Sequence, residues 1–191
     1  MKVIGLTGVM GAGKSSVIRI VKELGITVFD CDQINAELLE KGNVGYLALT
    51  KEFQHILDED GKIDKGLLAS KVFQDETQKA KLEQIMHPLI RKELNQRIAN
   101  CHDEVIVVEV PLLFEIGWED AFTQIWCVSA PLETILYRLK TGRNITNEEA
   151  KRRLACQISQ EEKEARSDVV LYNDGSLSEL RKQIEQAFKK E

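Results

Sequence analysis

The chain has 191 residues, of which 43% are hydrophobic and 30% are charged, and its formal net charge is −5. This length and composition predict one folded domain with a buried core, and the 3 prolines and 12 glycines exclude collagen-like and low-complexity classes. Because binding to a nucleic-acid backbone requires a basic surface, the acidic balance argues against nucleic acid as a partner.

The sequence shows no sign of a membrane-spanning or exported protein. Apolar runs such as residues 105–108 are far shorter than the roughly 20 residues that a spanning helix needs. Residues 1–13 superficially resemble a signal peptide, but four glycines interrupt them and no cleavage site follows. The four scattered cysteines form no C-x-x-C pair, which predicts reduced thiols in a cytoplasmic protein. They are Cys31, Cys101, Cys127 and Cys156.

Five apolar, β-rich segments alternate with stretches long enough for crossover helices, which predicts an α/β fold with a five-stranded parallel sheet flanked by helices. The predicted strands span residues 3–6, 26–29, 105–110, 125–128 and 169–171. Apolar residues with helical spacing predict amphipathic helices near residues 131–140 and 177–188.

Two regions depart from this alternation. Residues 34–101 have helical patterning, a D-E-D-G turn at 58–61 and a break at His87-Pro88, which predicts an all-helical insertion. It either serves packing alone or caps the carboxyl edge of the sheet and binds a substrate. Residues 141–166 are strongly charged and form either a solvated helix pair or, with the end of the preceding helix, a lid over about 138–166. No linker separates these regions, so we expect residues 1–191 to form a single domain.

Residues 8–15 satisfy the phosphate-loop pattern G-x-x-x-x-G-K-[ST], directly after the first predicted strand and before a helical stretch that ends near Gly25. In such a loop, successive backbone N–H groups and the following helix N-terminus converge on phosphate oxygens. Lys14 adds a cation near the β- and γ-phosphates, and the hydroxyl of Ser15 is a ligand for Mg²⁺. The Asn-Lys-x-Asp segment of a GTPase is absent from the sequence.

Carboxylates follow the second and third predicted strands. Asp30 and Asp32 flank Cys31 at the carboxyl edge of the sheet, where a carboxylate can accept a proton from an attacking hydroxyl. Asp32 is also well placed to cap a helix over residues 33–39, and the spacing leaves both roles open. Glu109 either binds Mg²⁺ through water or is simply the last residue of its strand, without a role in binding.

Several short motifs occur along the chain in a fixed order. Besides the phosphate loop they are G-L-T-G at 5–8, D-C-D-Q-I at 30–34, D-G-K-I-D at 60–64, V-F at 72–73, H-P at 87–88, P-L-L-F-E at 111–115 and N-D-G at 173–175. In this order and spacing the chain resembles the dephospho-CoA kinase family from end to end. The resemblance implies a P-loop kinase with an inserted acceptor-binding cap and a lid, which phosphorylates the ribose 3′-hydroxyl of dephospho-CoA with ATP and Mg²⁺.

The resemblance also implies which residues contact ATP. Arg138 matches an arginine of the family's lid, where a guanidinium can hold phosphate oxygens by forked hydrogen bonds; without the family it is an exposed helix arginine. Asn173 and Gly175 fit an N-x-G segment near the ATP base, although by themselves they indicate only a turn. The phosphate-binding residues are Gly8, Gly11, Ala12, Gly13, Lys14, Ser15 and Ser16, and Ser15 is also the metal ligand.

For the acceptor, the resemblance implies that Asp32 is the base facing the 3′-hydroxyl and that Asp30 is its neighbour. His87 falls near the acceptor nucleotide, although an isolated His-Pro more often starts a helix. The remaining acceptor contacts are Leu112, Leu113 and Phe114.

The chain departs from the family pattern at three points. A basic residue expected near Ala36 is missing, and Lys65 replaces an arginine, which keeps the charge but loses the planar fork. The second lid arginine is displaced: Gly142 stands four residues after Arg138, and Arg143 comes one later. We expect the permissive backbone of Gly142 to re-aim Arg143 toward ATP.

Two other functions are compatible with a phosphate loop. One is a different small-metabolite or nucleoside monophosphate kinase, which a screen of acceptors distinguishes. The other is a nucleotide-regulated binding protein, which binds ATP but phosphorylates no acceptor. The sequence does not specify an oligomeric state.

Overall fold

Residues 1–73 and 75–189 are described by a computed structural model. The chain divides into two compact units. The sheet unit consists of Met1–Phe29 and Asp103–Glu191, and the helical unit consists of Asp30–His102. The helical unit therefore begins and ends within four residues of the predicted insertion at 34–101.

The sheet has five strands in the order β2-β3-β1-β4-β5. The central strand β1 pairs in parallel with β3 and β4, and β4 pairs in parallel with β5. Successive residues of a strand face opposite sides of a sheet, so the full burial of Ile106, Val107 and Val108 shows that both faces are covered. The strands are β1 (Lys2–Thr7), β2 (Thr27–Asp30), β3 (Val105–Glu109), β4 (Gln124–Ser129) and β5 (Val169–Tyr172). All five predicted strands are confirmed, each to within one residue at either end.

The helices follow the strands in the order expected for an α/β fold. Their bounds are α1 (Lys14–Glu23), α2 (Cys31–Leu38), α3 (Val44–Glu52), α4 (Lys65–Phe73), α5 (Glu76–Asn100), α6 (Leu132–Arg143), α7 (Asn147–Ala155), α8 (Gln160–Ala165) and α9 (Leu177–Lys189), with a short 3-10 helix at Glu119–Ala121. In the sheet unit, α1 and α9 pack against each other, and the Trp126 ring of β4 lies 4.7 Å from that of Phe188. The predicted helices near 131–140 and 177–188 correspond to α6 and α9.

Side chains that hydrogen-bond to the backbone cap the N-termini of α7, α8 and α9. At α9, the Glu179 carboxylate accepts a hydrogen bond from the Ser176 N–H at 2.7 Å, while Ser176 Oγ accepts one from the Glu179 N–H. This is a capping box, and the bond from the Ser176 backbone lowers the pKa of Glu179. The caps of α7 and α8 are single hydrogen bonds. The hydroxyl of Thr146 accepts from the N–H of Glu149, and the hydroxyl of Ser159 accepts from the N–H of Glu162.

The helical unit is built around the 25-residue helix α5, which packs against α2, α3 and α4. Its buried face carries Met86, Ile90 and Leu94 at four-residue spacing. The predicted break at His87-Pro88 is wrong, because Pro88 lies inside this helix. A proline there costs about 3 kcal/mol through a missing N–H and a clash, and we infer that packing on three neighbouring helices offsets this cost.

The D-E-D-G turn is confirmed. Gly61 has φ +72°, and its N–H donates to the carbonyl of Asp58 at 3.0 Å. Among the described residues of the helical unit after Asp30, the only strand-like feature is an isolated bridge between Leu57 and Ile63, which flank this turn.

Arg97 of α5 joins two carboxylates, and this arrangement makes stability depend on pH. Its guanidinium donates to Glu37 of α2 and, at 2.9 Å, to Glu93 one turn earlier. Hydrogen bonding from Arg97, and then from Gln33, lowers the pKa of Glu37 below its ordinary value of 4.5. The stabilisation is therefore complete above that value and is lost as the pH falls through the lowered pKa.

We predict that Arg97→Met lowers the free energy of unfolding at pH 7 by about 1 kcal/mol or less, because the pair is partly exposed. The difference from wild type should be smaller at pH 3 than at pH 7, because Glu37 loses its charge as the pH falls through its lowered pKa. Urea titrations at both pH values measure it. The control is Lys79→Met, whose exposed pair with Glu76 is 3.9 Å long; a loss equal to that of the control at both pH values would contradict the prediction.

Candidate active site

The phosphate loop connects β1 to α1, and its shape depends on three glycines. Gly8, Gly11 and Gly13 have φ values of +143°, +86° and +100°, which side-chain-bearing residues rarely adopt. A Cβ atom at Gly8 would lie 2.5 Å from the carbonyl oxygen of Val128. Lys14 opens α1, and its Nζ donates to the carbonyl of Gly8 at 2.8 Å. The lysine thus folds back across the loop that precedes it.

Two side chains from other elements hold the carbonyl of Ala12. The amide of Asn173 donates to it at 2.9 Å and the guanidinium of Arg138 at 3.1 Å. Arg138 also donates to the carbonyl of Asn173 at 2.9 Å, so the two residues are themselves joined. Asn173 is only 5% exposed, and its amide lies 1.9 Å from where a Cβ of Gly13 would be. In this structure the side chains of Arg138 and Asn173 therefore fix the backbone of the phosphate loop.

A cavity of about 480 Å³ in the sheet unit gathers most of the residues predicted to contact ATP. Its loop side is formed by Gly11, Gly13, Lys14, Ser15 and Ser16. Its other walls include Glu109, Arg138, Arg143, Asn173 and Gly175. Gly8 and Ala12 contribute hydrogen-bond acceptors to the phosphate loop. The carbonyl of Gly8 accepts from Lys14, and that of Ala12 accepts from Arg138 and Asn173.

The backbone near Arg143 differs from the expectation. Helix α6 continues through Gly142 to Arg143, and the chain leaves the helix at Asn144, which has φ +52°. The expectation that Gly142 re-aims the chain is therefore wrong, because the left-handed residue that ends the helix is the asparagine. Arg143 nevertheless lines the cavity, from a helical position.

The loop after β3 carries three residues predicted to contact the acceptor. Leu113 is fully buried against β1, since a Cβ atom at Gly5 would lie 2.8 Å from its Cδ1. Phe114 is 4% exposed, whereas Leu112 is 42% exposed. The side chain of Leu112 is thus the one of the three that this loop offers to a ligand.

The predicted acceptor residues of the helical unit lie on two helices. Asp30 caps α2, since its Oδ1 accepts hydrogen bonds from the N–H groups of Asp32 and Gln33 at 2.8 and 3.2 Å. The interpretation of Asp32 as the cap is wrong, because the helix begins at Cys31 and Asp32 is an exposed residue of its first turn. His87 is half-buried in the middle of α5. Their roles toward an acceptor stay predictions.

Sequence reasoning missed contacts between residues that are distant in the chain. The side chain of Gln157, between α7 and α8, accepts a hydrogen bond at 3.0 Å from the N–H of Met10 in the phosphate loop. Lys163 of α8 is completely buried and pairs with Glu115. Both Gln157 and Lys163 belong to a strongly charged segment, where neither residue type signals a long-range partner.

Comparison with known proteins identifies the family. A family model described as dephospho-CoA kinase matches residues 2–179. The chain belongs to the dephospho-CoA kinase family. A curated dephospho-CoA kinase of Geobacter sulfurreducens is 37% identical over 100% of this chain and 98% of its own length. The dephospho-CoA kinase of Campylobacter jejuni has a solved structure that is 28% identical, with a TM-score of 0.73 and coverage of 100% of this chain and 97% of its own.

A more distant structure supports the fold alone. A shikimate kinase of Bacteroides thetaiotaomicron superposes with a TM-score of 0.55 at 13% identity, over 98% of this chain and 96% of its own. The P-loop kinase fold and the resemblance to the dephospho-CoA kinase family are both confirmed. The activity is therefore ATP-dependent phosphorylation of dephospho-CoA to coenzyme A, as the sequence predicted, rather than that of another small-metabolite kinase or of a binding protein.

The close approach of Asn173 to Gly13 yields a matched pair of variants. Gly13→Ala should lower turnover by about 100-fold or more, because a Cβ there displaces Asn173 and the left-handed backbone is strained. Gly142→Ala adds the same methyl group to the lining of the same cavity, but Gly142 is helical and a Cβ there meets nothing within 4 Å. It should raise the free energy of unfolding by up to about 1 kcal/mol.

Steady-state kinetics and thermal melts of the two variants check this prediction. Near-wild-type turnover by folded Gly13→Ala would show that the loop tolerates displacement of Asn173. Destabilisation by Gly142→Ala would contradict the helical assignment of that residue.

Proposed function

We propose that Lys14, Arg138 and Arg143 hold and neutralise the ATP phosphates and that Asp32 accepts the proton of the ribose 3′-hydroxyl. The observation that carries the first part is the cavity that gathers the phosphate loop and both arginines. Phosphoryl transfer depends mainly on positioning and on stabilising charge that spreads over the transferring oxygens. Two guanidinium groups and one ammonium group around one cavity suit that task.

In this proposal the ammonium group of Lys14 binds a phosphate oxygen of ATP. In the structure it donates to a neutral carbonyl, that of Gly8. A phosphate oxygen is a stronger acceptor for an ammonium group, because it carries a negative charge whereas the carbonyl oxygen is neutral. Arg138 keeps its bonds to the Ala12 and Asn173 carbonyls and directs its remaining N–H groups to phosphate.

The donor set suits Mg²⁺. Mg²⁺ is generally held by one or two protein oxygen ligands together with substrate phosphates and water. The hydroxyl of Ser15 and the carboxylate of Glu109 line the same cavity as Lys14 and provide such ligands. We propose that Ser15 binds the ion directly and Glu109 through water. When bound, Mg²⁺ neutralises charge that develops on the β- and γ-phosphates.

On the acceptor side, the proposal assigns different tasks to the two aspartates. Asp30 already accepts two hydrogen bonds as the cap of α2, so its role is to fix the start of that helix beside the acceptor. Asp32 is exposed in the first turn of α2, and the proposal assigns to its carboxylate the proton of the attacking hydroxyl. We further assign acceptor contacts to His87 and to the exposed Leu112.

A cytoplasmic location is part of the proposal. All four cysteines lie outside any disulfide, and burial raises the pKa of Cys127 to about 12, so that thiol is inert. Within residues 1–73 and 75–189, no helix is long and apolar enough to cross a membrane. Given the net charge of −5, we do not expect nucleic acid as a partner.

We predict that Lys14→Met lowers kcat by at least roughly 100-fold, because no neutral side chain stabilises charge on the transferring group. The control is Lys22→Met, in the last turn of the same helix. Single-turnover kinetics with ATP and dephospho-CoA measure the effect. Wild-type rates in a folded Lys14→Met protein would remove the lysine from the mechanism.

The two aspartates give a second test. Asp32→Asn should lower kcat by roughly 10²- to 10⁴-fold at nearly unchanged stability, because the amide keeps the shape but cannot take the proton. Asp30→Ala should lower the free energy of unfolding by about 1 kcal/mol through loss of the cap. Kinetics and urea titrations separate the two effects. If Asp32→Asn keeps its turnover, another group is the base.

A further inference from the structure

Glu115 and Lys163 form an ion pair to which the proposed mechanism gives no role. Glu115 ends the acceptor loop, here defined as residues 111–115, and Lys163 lies in α8. Lys163 Nζ is 2.7 Å from the Glu115 carboxylate oxygens, and the two side chains are 0% and 17% exposed. A buried ammonium group is unfavourable unless it is paired, so the burial of Lys163 depends on this partner.

The same carboxylate holds a second group. Its Oε1 accepts a hydrogen bond at 3.0 Å from the N–H of Ile158, in the connection between α7 and α8. The preceding residue, Phe114, has two cations over its ring: Lys163 Nζ is 5.8 Å from the ring centroid and the Arg166 guanidinium is 4.5 Å from it. Residues from α8 and its flanks therefore hold the carboxyl end of the acceptor loop.

The amino end of the loop is held as well. The buried hydroxyl of Thr7 in β1 donates to the carbonyl of Pro111 at 3.2 Å. Beyond the loop, the N–H of Ile116 donates to the carbonyl of Leu112 at 3.1 Å. The exposed side chain of Leu112 is thus presented from a short segment that is fixed at both ends.

We propose that the Glu115–Lys163 pair positions Leu112 for dephospho-CoA, with both residues as positioning residues that do not touch the reacting atoms. The inference rests on the proposed assignment of Leu112 to the acceptor. An apolar pair of the same volume would stabilise the fold as well or better, whereas directional bonds from Lys163 and Ile158 fix one orientation of the loop end. The ion pair thus favours a single conformation of the acceptor loop, although removing the two charged groups from water costs free energy.

The test compares Glu115→Gln, Lys163→Met and the double variant with wild type. The dissociation constant of dephospho-CoA without ATP, measured by calorimetry, and its KM should each rise about tenfold, less than the roughly 100-fold cost of misplacing a reacting group by 1 Å. The KM for ATP should stay within twofold of wild type. The double variant should bind dephospho-CoA no more weakly than the weaker single variant, because both changes remove the same interaction.

Three further variants make each outcome decisive. Glu23→Gln removes an ion pair between α1 and α9 and should leave both KM values unchanged. Glu115→Asp keeps the charge but shortens the reach, and it should show the same selective loss if the other variants fail to fold. Leu112→Ala tests the acceptor contact itself.

A lower melting temperature with wild-type affinity for dephospho-CoA, in Glu115→Asp or any other folded variant of the pair, would make the pair purely structural and overturn the inference. If Leu112→Ala weakens binding while the variants of the pair do not, the inference fails and the acceptor assignment stands. If Leu112→Ala binds dephospho-CoA like wild type, the acceptor assignment fails, and the inference fails with it.

Discussion

The carbonyl oxygen of Ala12 is the point on which the ATP cavity depends. It accepts hydrogen bonds from Arg138 of α6 and from Asn173, which directly follows β5. These bonds tie the phosphate loop to a helix and a turn that lie more than 120 residues later in the chain. A phosphate loop works by directing its N–H groups outward, so its carbonyls need partners on the other side. Arg138 and Asn173 supply these partners from the protein itself, and such fixed positioning is the preorganisation that electrostatic catalysis requires.

Patterns within short stretches of sequence predicted the strands and the phosphate loop. Where such a pattern misled, as at Pro88, packing between distant segments determines the structure. A strand such as residues 105–108 is a continuous apolar run, and a phosphate loop combines glycines with a strand before it and a helix after it. Pro88 carries an equally clear local signal, yet α5 continues through it because three helices pack on that helix. The sequence left open whether Asp32 caps α2, because either aspartate of D-C-D satisfies the capping pattern. The extended backbone of Asp30 and the two hydrogen bonds that its Oδ1 accepts identify Asp30 as the cap.

The side chains that shape the site were harder to predict because their partners are remote. Gln157 is 147 residues from Met10, and Lys163 is 48 residues from Glu115. No periodicity links such pairs. Lys163 also stands among glutamates, where a lysine is expected to face solvent. The family resemblance pointed to Asn173 near ATP, but it did not indicate that the amide of this residue donates to the backbone of the phosphate loop.

The close approach of Asn173 to Gly13 limits which substitutions these two positions can accept. Because the asparagine amide occupies the space of a Cβ at position 13, a side chain there demands a smaller residue at position 173. That smaller residue would remove a donor from the Ala12 carbonyl, so the compensating change carries its own penalty. The two residues are 160 positions apart in the chain, yet a change at either one alters the surroundings of the other.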